Sequence, residues 1–356
     1  MNSIISNGCP IHFNNECYKQ LNQHLKEVRY SKIFVLVDEN THEFCLPSLL
    51  SQIETTCDIE IIEIESGEEH KNIETCLGVW EALSELEADR KSLLINVGGG
   101  VITDLGGFVA CTFKRGMAYI NVPTSLLSMV DASIGGKTGV DLGHLKNQIG
   151  VISSGEMVLI DTSFLSTLPE NQFRSGVAEM LKHGLIQDET YFSAFKKMEL
   201  LESDQFDQLI HQSILIKKDV VEKDPNENNL RKTLNYGHTL GHAIESYYLS
   251  HPQKNPFLHG EAIVIGMILE TYISFKQLGF SEHKLIEITK TLIEIFDHHP
   301  IAEGDFQPII ELLKYDKKND YGQINFVLLE DIGLPKIDCQ VDNNLIEEAF
   351  IFYNNQ

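Results

Sequence analysis

The sequence predicts an α/β fold in two parts: a parallel-sheet domain of nucleotide-binding type, then a mainly α-helical domain. Three observations predict it. Short apolar runs alternate with helix-period segments over the first part of the chain. Helical periodicity dominates from about Pro169 onward. Between the third apolar run and the next helix stands the glycine-rich turn "GGGVITDLGGF".

The strand-like runs are "KIFVLVD" (32–38), "IEIIEI" (59–64), "SLLINV" (92–97) and "MAYINVP" (117–123). "CLGVWEALSELEA" (76–88) and "GGFVACTF" (106–113) read as helices between them. Such alternation implies a parallel sheet with crossover helices. In the second part, helices are expected over 171–184, 189–200, 204–223, 232–249, 259–278 and 283–296. A short strand "INFVLL" (324–329) and an amphipathic "NLIEEAFIFY" (344–353) complete the chain. The boundary is placed by "FLSTLPENQ", giving domains 1–168 and 169–356.

Composition narrows the function. With 356 residues and 42% hydrophobic side chains, the chain can bury two cores. Its formal net charge of −24 makes it a poor binder of nucleic acid or anionic membranes. An anionic small molecule would need local concentrations of lysine and arginine. Seven scattered cysteines with no CxxC fit reduced thiols. The start "MNSIISNGCPIHF" lacks the basic and apolar regions of a signal peptide, and no apolar stretch approaches a membrane span. A cytoplasmic globule is expected.

Four stretches carry chemistry. In "INVGGGVITDLGGF" (95–108) a strand ends in three glycines and a helix begins, so the backbone can approach a pyrophosphate at a helix N-terminus. It is not a clean GxGxxG, because Thr103 takes the third glycine position, and a tight strand–helix turn is the plain alternative. "VDEN" (37–40) and "SGEEHK" (66–71) place Asp38, Asn40, Glu68 and Lys71 after successive strands, at the edge where such sheets bind nucleotides. Alone, each would read as a polar loop. "PTSLLSMVDASIGGKTGVDLGHLKNQIG" (123–150) sets Asp131, Lys137, Lys146 and Asn147 among glycines, a pattern that suits phosphate or carboxylate, although surface lysines look the same.

The fourth stretch is helical. "SGVAEMLKHG" places Glu179 and Lys182 one turn apart, and "LRKTLNYGHTLGHAIE" spaces Arg231, Asn235, His238 and His242 by four, three and four along one helix face. His259 opens the following helix. A lone histidine is usually structural, but three histidines and a glutamate on helices of one domain make a His/His/Glu metal site plausible. Thr239 follows the first histidine, so this is not the glutamate-bearing HExxH of a protease. Arg115, Lys137, Lys146, Lys182, Lys217 and Arg231 all lie in or beside these stretches, as a pocket for a doubly anionic substrate would require.

Together, "GGGVITDLGGFVA", "KRG", "PTSLL", "VDASIGGKTGV", "KNQIG", "TLPENQFRSGVAEMLKHGLI", "LNYGHTLGHAIE" and "LHGEAIVIGM" resemble the 3-dehydroquinate synthase family of sugar-phosphate cyclases. The resemblance runs in family order over about residues 66 to 318. It implies a Rossmann-like domain binding NAD, a helical domain binding a divalent metal (zinc or cobalt), and a homodimer. The metal ligands would be Glu179, His238 and His259. NAD contacts would fall at Asp38, Asn40, Glu68, Lys71, Gly99, Gly100, Val101, Asp104, Thr124, Ser125, Phe164 and Thr167, with Lys137 and Lys146 nearby. Substrate contacts would be Asp131, Lys137, Lys146, Asn147, Lys182, Lys217, Arg231, Asn235, His242 and Lys317, with Arg115 lent by a neighbouring subunit.

The chain departs from the family pattern at Ser125, Asp141 and Asp224-Pro225. The implied reaction takes 3-deoxy-D-arabino-heptulosonate 7-phosphate to 3-dehydroquinate. It proceeds by transient NAD-dependent oxidation, phosphate elimination, reduction and intramolecular aldol closure. Other sugar-phosphate cyclases and a metal-dependent polyol dehydrogenase are the rival readings. Lys217, Arg231 and Asn235 suit a carboxylate-bearing substrate and so count against the other cyclases, and a polyol dehydrogenase would not need this many cations.

Overall fold

The computed structural model describes residues 1–143, 145–196, 205–315 and 323–356. The chain divides into two compact units, Met1–Phe173 and Arg174–Gln356.

The first unit is built on a seven-stranded sheet. Its strands are β1 (Ile4–Ser6), β2 (Cys9–Phe13), β3 (Ile33–Asp38), β4 (Ile59–Ile64), β5 (Leu93–Gly98), β6 (Ala118–Pro123) and β9 (Met157–Ile160). A separate antiparallel hairpin is formed by β7 (Lys137–Leu142) and β8 (Leu145–Ile152). The sheet order is β1-β2-β9-β6-β5-β3-β4, and every neighbouring pair is parallel except β1 with β2. β3 and β5 read as unbroken apolar runs because helices cover both faces of a parallel sheet. Those helices are α1 (Asn15–Glu27), α2 (Glu39–Phe44), α3 (Leu46–Gln52), α4 (Ile73–Glu85) and α5 (Gly100–Thr112). On one face Phe34, Leu36, Leu83, Leu94, Leu105 and Phe108 pack into a single cluster. Truncating one such leucine to alanine would cost about 2–5 kcal/mol.

This strand order positions a site. After β3 the chain moves outward to β4, and after β5 it moves the other way to β6. The crevice between the carboxyl ends of β3 and β5 is therefore the switch point where open parallel sheets bind ligands.

The second unit is mainly helical. It contains α6 (Glu170–Gln187, which begins just before the division), α7 (Glu189–Ala194), α8 (Phe206–Lys223), α9 (His238–Leu249), α10 (His259–Leu278), α11 (Glu282–Phe296), α12 (Phe306–Leu312) and α13 (Asn343–Asn354). One antiparallel hairpin, β10 (Phe326–Asp331) with β11 (Leu334–Cys339), packs among them. Helix α9 packs closely on α10 through glycines on both helices. A Cβ on Gly241 would stand 2.8 Å from Ile263 Cδ1 and 3.0 Å from Ile263 Cα, and one on Gly266 would collide with the Gly237 carbonyl oxygen. Only glycine permits this approach. Among the described residues, no helix is long and apolar enough to cross a membrane.

One expectation fails here. Residues 232–249 are not a single helix carrying Arg231, Asn235, His238 and His242 along one face. Leu230–Asn235 form a tight 3-10 turn, and α9 starts only at His238. The break is at Gly237, whose φ of 78° is left-handed. Its N–H donates to the buried Glu270 carboxylate at 2.7 Å, and the Leu240 N–H donates to the other Glu270 oxygen at 3.3 Å. A carboxylate at a helix N-terminus satisfies orphan amides and opposes the dipole, which fixes where α9 begins.

Candidate cofactor and metal sites

In the first unit, Asp38 ends β3 and caps α2, accepting the Thr41 N–H at 2.7 Å. Asn40 is exposed on the first turn of α2. Across the switch point, β5 ends at Gly98, Gly99 caps α5, and Gly100 and Val101 form its first turn. The adjacent β6 ends by the Thr124 N–H donating to the Gly98 carbonyl at 3.0 Å. Ser125 Oγ accepts the Ser128 N–H at 3.3 Å, so the departure to serine keeps a hydroxyl beside the glycine turn. Asp131 follows in a π-helical turn, Ser128–Ala132. Phe164 and Thr167 lie in the 3-10 segment after β9, Phe164 buried and Thr167 donating to the Phe164 carbonyl at 3.2 Å.

A buried charge network borders this edge. Lys71 Nζ donates to Asp104 Oδ2 and to Asn147 Oδ1, each at 2.7 Å, and stands 3.9 Å from Glu68. Burial works against the Lys71 charge, but Asp104, Glu68 and Asp141 hold its ammonium above the ordinary range. Lys146 Nζ donates to Glu68 at 3.1 Å. Asp141, where the family pattern has asparagine, accepts the Asn147 N–H at 2.6 Å, and its own N–H donates to the Lys71 carbonyl at 2.9 Å. The β7–β8 hairpin is thus tied to Lys71 by backbone and side chain. Lys137 opens β7 at the base of the same hairpin. Arg115 is exposed on a different turn, where Lys114, Arg115 and Gly116 have successive φ values of 48°, 70° and 114°. Two non-glycine residues held left-handed in succession store strain of about 1–3 kcal/mol each.

In the second unit, the donor atoms of three histidines converge. His238, His242 and His259 place ligand atoms within 4.8 Å of one another. Glu179, fully buried on α6, directs Oε1 at them: it lies 3.4 Å from His238 Nε2 and 3.7 Å from His259 Nε2. That oxygen has no hydrogen-bond partner, whereas Oε2 is paired with the buried Lys182. A buried carboxylate oxygen facing two imidazole nitrogens without a hydrogen bond to either is a donor set suited to a divalent cation. Burial opposes the Glu179 charge, but Lys182 and His238 hold its carboxyl well below the usual range. Burial, reinforced by Lys182, pulls His238 down to about 4, leaving its ring neutral as a ligand must be. For His259 burial is outweighed by Glu245 and Glu179, which push it up to about 9, so a cation must displace a proton there.

Of the substrate-type residues of this unit, Lys182 touches the cluster through Glu179. Lys182, Lys217 and Arg231 are all buried. Asp224 organises the Arg231 turn, accepting the N–H groups of Asn228 (3.0 Å), Asn229 (2.7 Å) and Arg231 (3.0 Å). Arg231 Nη1 donates to the Pro225 carbonyl at 2.8 Å, so the Asp224-Pro225 departure builds the loop rather than disturbing it. Asn235 Nδ2 donates to Glu227 at 3.1 Å. Lys317 lies outside the described residues. Sequence reasoning missed Glu245 and Glu270 and noted Asp224 only within a departure from the pattern; the partners of these three buried acids are set by tertiary packing and by backbone amides. The signal for Glu245 was present: it lies one turn beyond His242 on the same helix.

A parallel-sheet unit with a switch-point glycine turn, joined to a helical unit with a histidine–carboxylate cluster, defines an α/β-plus-helical enzyme architecture. The same fold is found in 2-deoxy-scyllo-inosose synthase, solved with carbaglucose-6-phosphate, NAD+ and Co2+ (24% identity, 98% of both chains, TM-score 0.83). It recurs in 2-epi-5-epi-valiolone synthase from Streptomyces hygroscopicus subsp. jinggangensis 5008, solved with NAD+ and Zn2+ (23% identity, 100% of this chain and 99% of the other, TM-score 0.85). Glycerol dehydrogenase from Schizosaccharomyces pombe shares it more distantly (12% identity, 97% and 88%, TM-score 0.64).

The chain itself belongs to the 3-dehydroquinate synthase family, whose N-terminal and C-terminal family models match residues 61–175 and 176–319. It is 41% identical to 3-dehydroquinate synthase of Parabacteroides distasonis over 94% of both chains. To that of Dictyoglomus turgidum it is 38% identical, over 90% of this chain and 89% of the relative.

Proposed function

We propose that this chain converts 3-deoxy-D-arabino-heptulosonate 7-phosphate to 3-dehydroquinate and inorganic phosphate, a phosphate-eliminating lyase reaction that closes a carbocycle in the shikimate pathway. The observation that carries the reading is the buried Glu179 Oε1 facing His238 and His259 beside a buried Lys182. Family membership supplies the substrate class.

Glu179, His238 and His259 would hold the divalent cation, zinc or cobalt, as the donor chemistry and the two metal-bearing cyclase structures support. NAD would lie along the β3/β5 edge, against Asp38, Asn40, Glu68, Lys71, Gly99, Gly100, Val101, Asp104, Thr124, Ser125, Phe164 and Thr167. When bound, the cation supplies Lewis acidity at substrate hydroxyls and NAD a reversible hydride acceptor. The remaining work belongs to side chains of this protein. Lys182, Lys217 and Arg231 present fixed cations to an acid with a carboxylate and a phosphate, and burial strengthens each attraction. Asn235, oriented by Glu227, offers its amide to substrate oxygens. His242, whose ring centroid is 5.1 Å from that of His238, would hydrogen-bond or exchange a proton with the phosphate end. The family resemblance would add Asp131, Lys137, Lys146 and Asn147 as substrate contacts, and Lys317, which lies outside the described residues. Bond changes balance without net redox: the C–O bond to phosphate and the C–H bond on the adjacent carbon break, the proton leaving with phosphate, and the ring C–O bond opens to a ketone as one C–C bond forms.

The reading extends to a cytoplasmic homodimer in which Arg115 reaches the neighbouring subunit's phosphate site. Its exposed, strained turn and the seven unpaired cysteines support this. The deciding experiment incubates purified protein with the heptulosonate phosphate, NAD+ and Zn2+. Stoichiometric phosphate and dehydroquinate without NADH accumulation is expected. Absence of phosphate release, or net NADH, overturns the proposal in favour of a polyol dehydrogenase.

A further inference from the structure

The structure assigns to Glu245 the role of positioning residue for the cation site: we infer that it holds His259 through Nδ1 and thereby sets how tightly the site retains its metal. The inference rests on the proposed Glu179–His238–His259 donor set. His259 is contacted on both ring nitrogens by carboxylates. Nε2 lies 3.7 Å from Glu179 Oε1, and Nδ1 lies 3.2 Å from Glu245 Oε2. The Glu245 side chain is only 8% exposed. Its geometry toward His259 is therefore fixed by packing.

The two imidazole donors are oriented by different means. His238 Nδ1 is 3.1 Å from the Tyr236 carbonyl oxygen, a backbone contact that substitution cannot remove. His259 is the first residue of α10, with no preceding helical turn to confine its ring, and its side chain is 24% exposed. What confines it is a side chain on α9. Glu245 lies one turn beyond His242 and two turns beyond His238, on the same helical face. One helix thus supplies a donor of its own and the carboxylate that aims the donor on its neighbour. A carboxylate accepting the distal N–H of a ligating histidine fixes the tautomer and strengthens the ligand nitrogen, and its loss typically weakens metal binding by about 10- to 100-fold.

The test measures Zn2+ affinity by competition with a chromogenic chelator on purified full-length protein, for wild type, Glu245→Ala and the near-isosteric Glu245→Gln. About 10- to 100-fold weaker binding is expected for Glu245→Ala. Glu245→Gln, which keeps an acceptor but not the charge, should fall between it and wild type. Loaded with Co2+ instead, Glu245→Ala should show shifted visible absorption bands, which a purely structural role would not move. Should Glu245→Ala fail to fold, Glu245→Gln decides alone. Zn2+ affinity within about twofold of wild type, with an unchanged cobalt spectrum, in whichever variant folds would overturn the assignment. A wild-type protein that binds no zinc, or whose His238→Ala variant binds it normally, would instead overturn the donor set on which the inference rests.

Discussion

The Tyr236 carbonyl oxygen sits 3.1 Å from His238 Nδ1, and this contact decides which nitrogen of the ring faces the cluster. A carbonyl only accepts, so Nδ1 carries the hydrogen and Nε2 presents its lone pair toward Glu179. His242 has its ring beside these residues but one turn along α9, so spacing alone cannot rank the two histidines.

The pair separates by substitution. His238→Ala should lose bound zinc, while His242→Ala should retain it and lower kcat by about 100-fold or more, the range for a general acid–base group. Metal analysis of the dialysed proteins checks this. Equal zinc loss in both variants would place His242 among the ligands.

Gly266→Ala should separate α9 from α10, because the new methyl collides with the Gly237 carbonyl. A loss of about 1–3 kcal/mol in unfolding free energy is expected, with weaker zinc retention. Gly304, which has open space around its Cβ direction and no positive φ, gives the control: Gly304→Ala should be near neutral. Denaturant melts of the two variants decide.

Asp104→Ala leaves the Lys71 ammonium buried with its nearest carboxylate removed. Destabilisation of about 3 kcal/mol and loss of NAD binding are expected. Calorimetric titration with NAD+ provides the readout, and unchanged affinity in a folded variant would remove this network from the cofactor site.

Asp224 makes stability depend on acid. Burial raises the cost of its charge, but the amides of Asn229, Arg231 and Asn228 hold its carboxyl below the ordinary 3.8. A folded-state value lower than the unfolded one gives stability that is full above the unfolded pKa and is lost as pH falls through the folded one. Asp224→Asn should therefore be less stable than wild type by about 1–3 kcal/mol at neutral pH. The gap should stay constant down to about pH 5 and narrow below about pH 4. A gap that persists undiminished at about pH 3 would show that ionisation of Asp224 is not its source.

Arg115 gives a test of subunit exchange. If Arg115→Ala and Lys182→Ala are each inactive and their mixture regains about one quarter of wild-type activity, the arginine acts across a twofold interface. No recovery after verified subunit exchange would confine Arg115 to its own chain.

The central parallel strands β3, β5 and β6 were legible because both faces are buried, and the half-exposed edge strand β4 because of its β-branched isoleucines. "IEIIEI" matches Ile59–Ile64, and "KIFVLVD", "SLLINV" and "MAYINVP" fall within a residue of β3, β5 and β6 at each end. The β7–β8 hairpin was not, since its glycines and polar residues lack strict alternation and its order comes from Lys71 and Asp141. Nor were α1, the short local hairpin of β1 with β2, or the four-residue β9, whose partners β2 and β6 lie far back along the chain. The break at Gly237 was hidden because the flanking residues keep helical spacing, and only Glu270, from α10, reveals why α9 starts where it does. Motif residues were legible; the acids that aim them were not.

The close glycine contact between α9 and α10 also bears on how the protein matures. The proposed donors come from three helices, and the last of them, His259, is synthesised well after Glu179. A chain whose two glycine-faced helices have not docked cannot bring the imidazoles together, and so stays empty of metal. At the proposed donors, loading would therefore act as a checkpoint on assembly: a half-built or misdocked chain would lack the cation with which the proposed conversion begins.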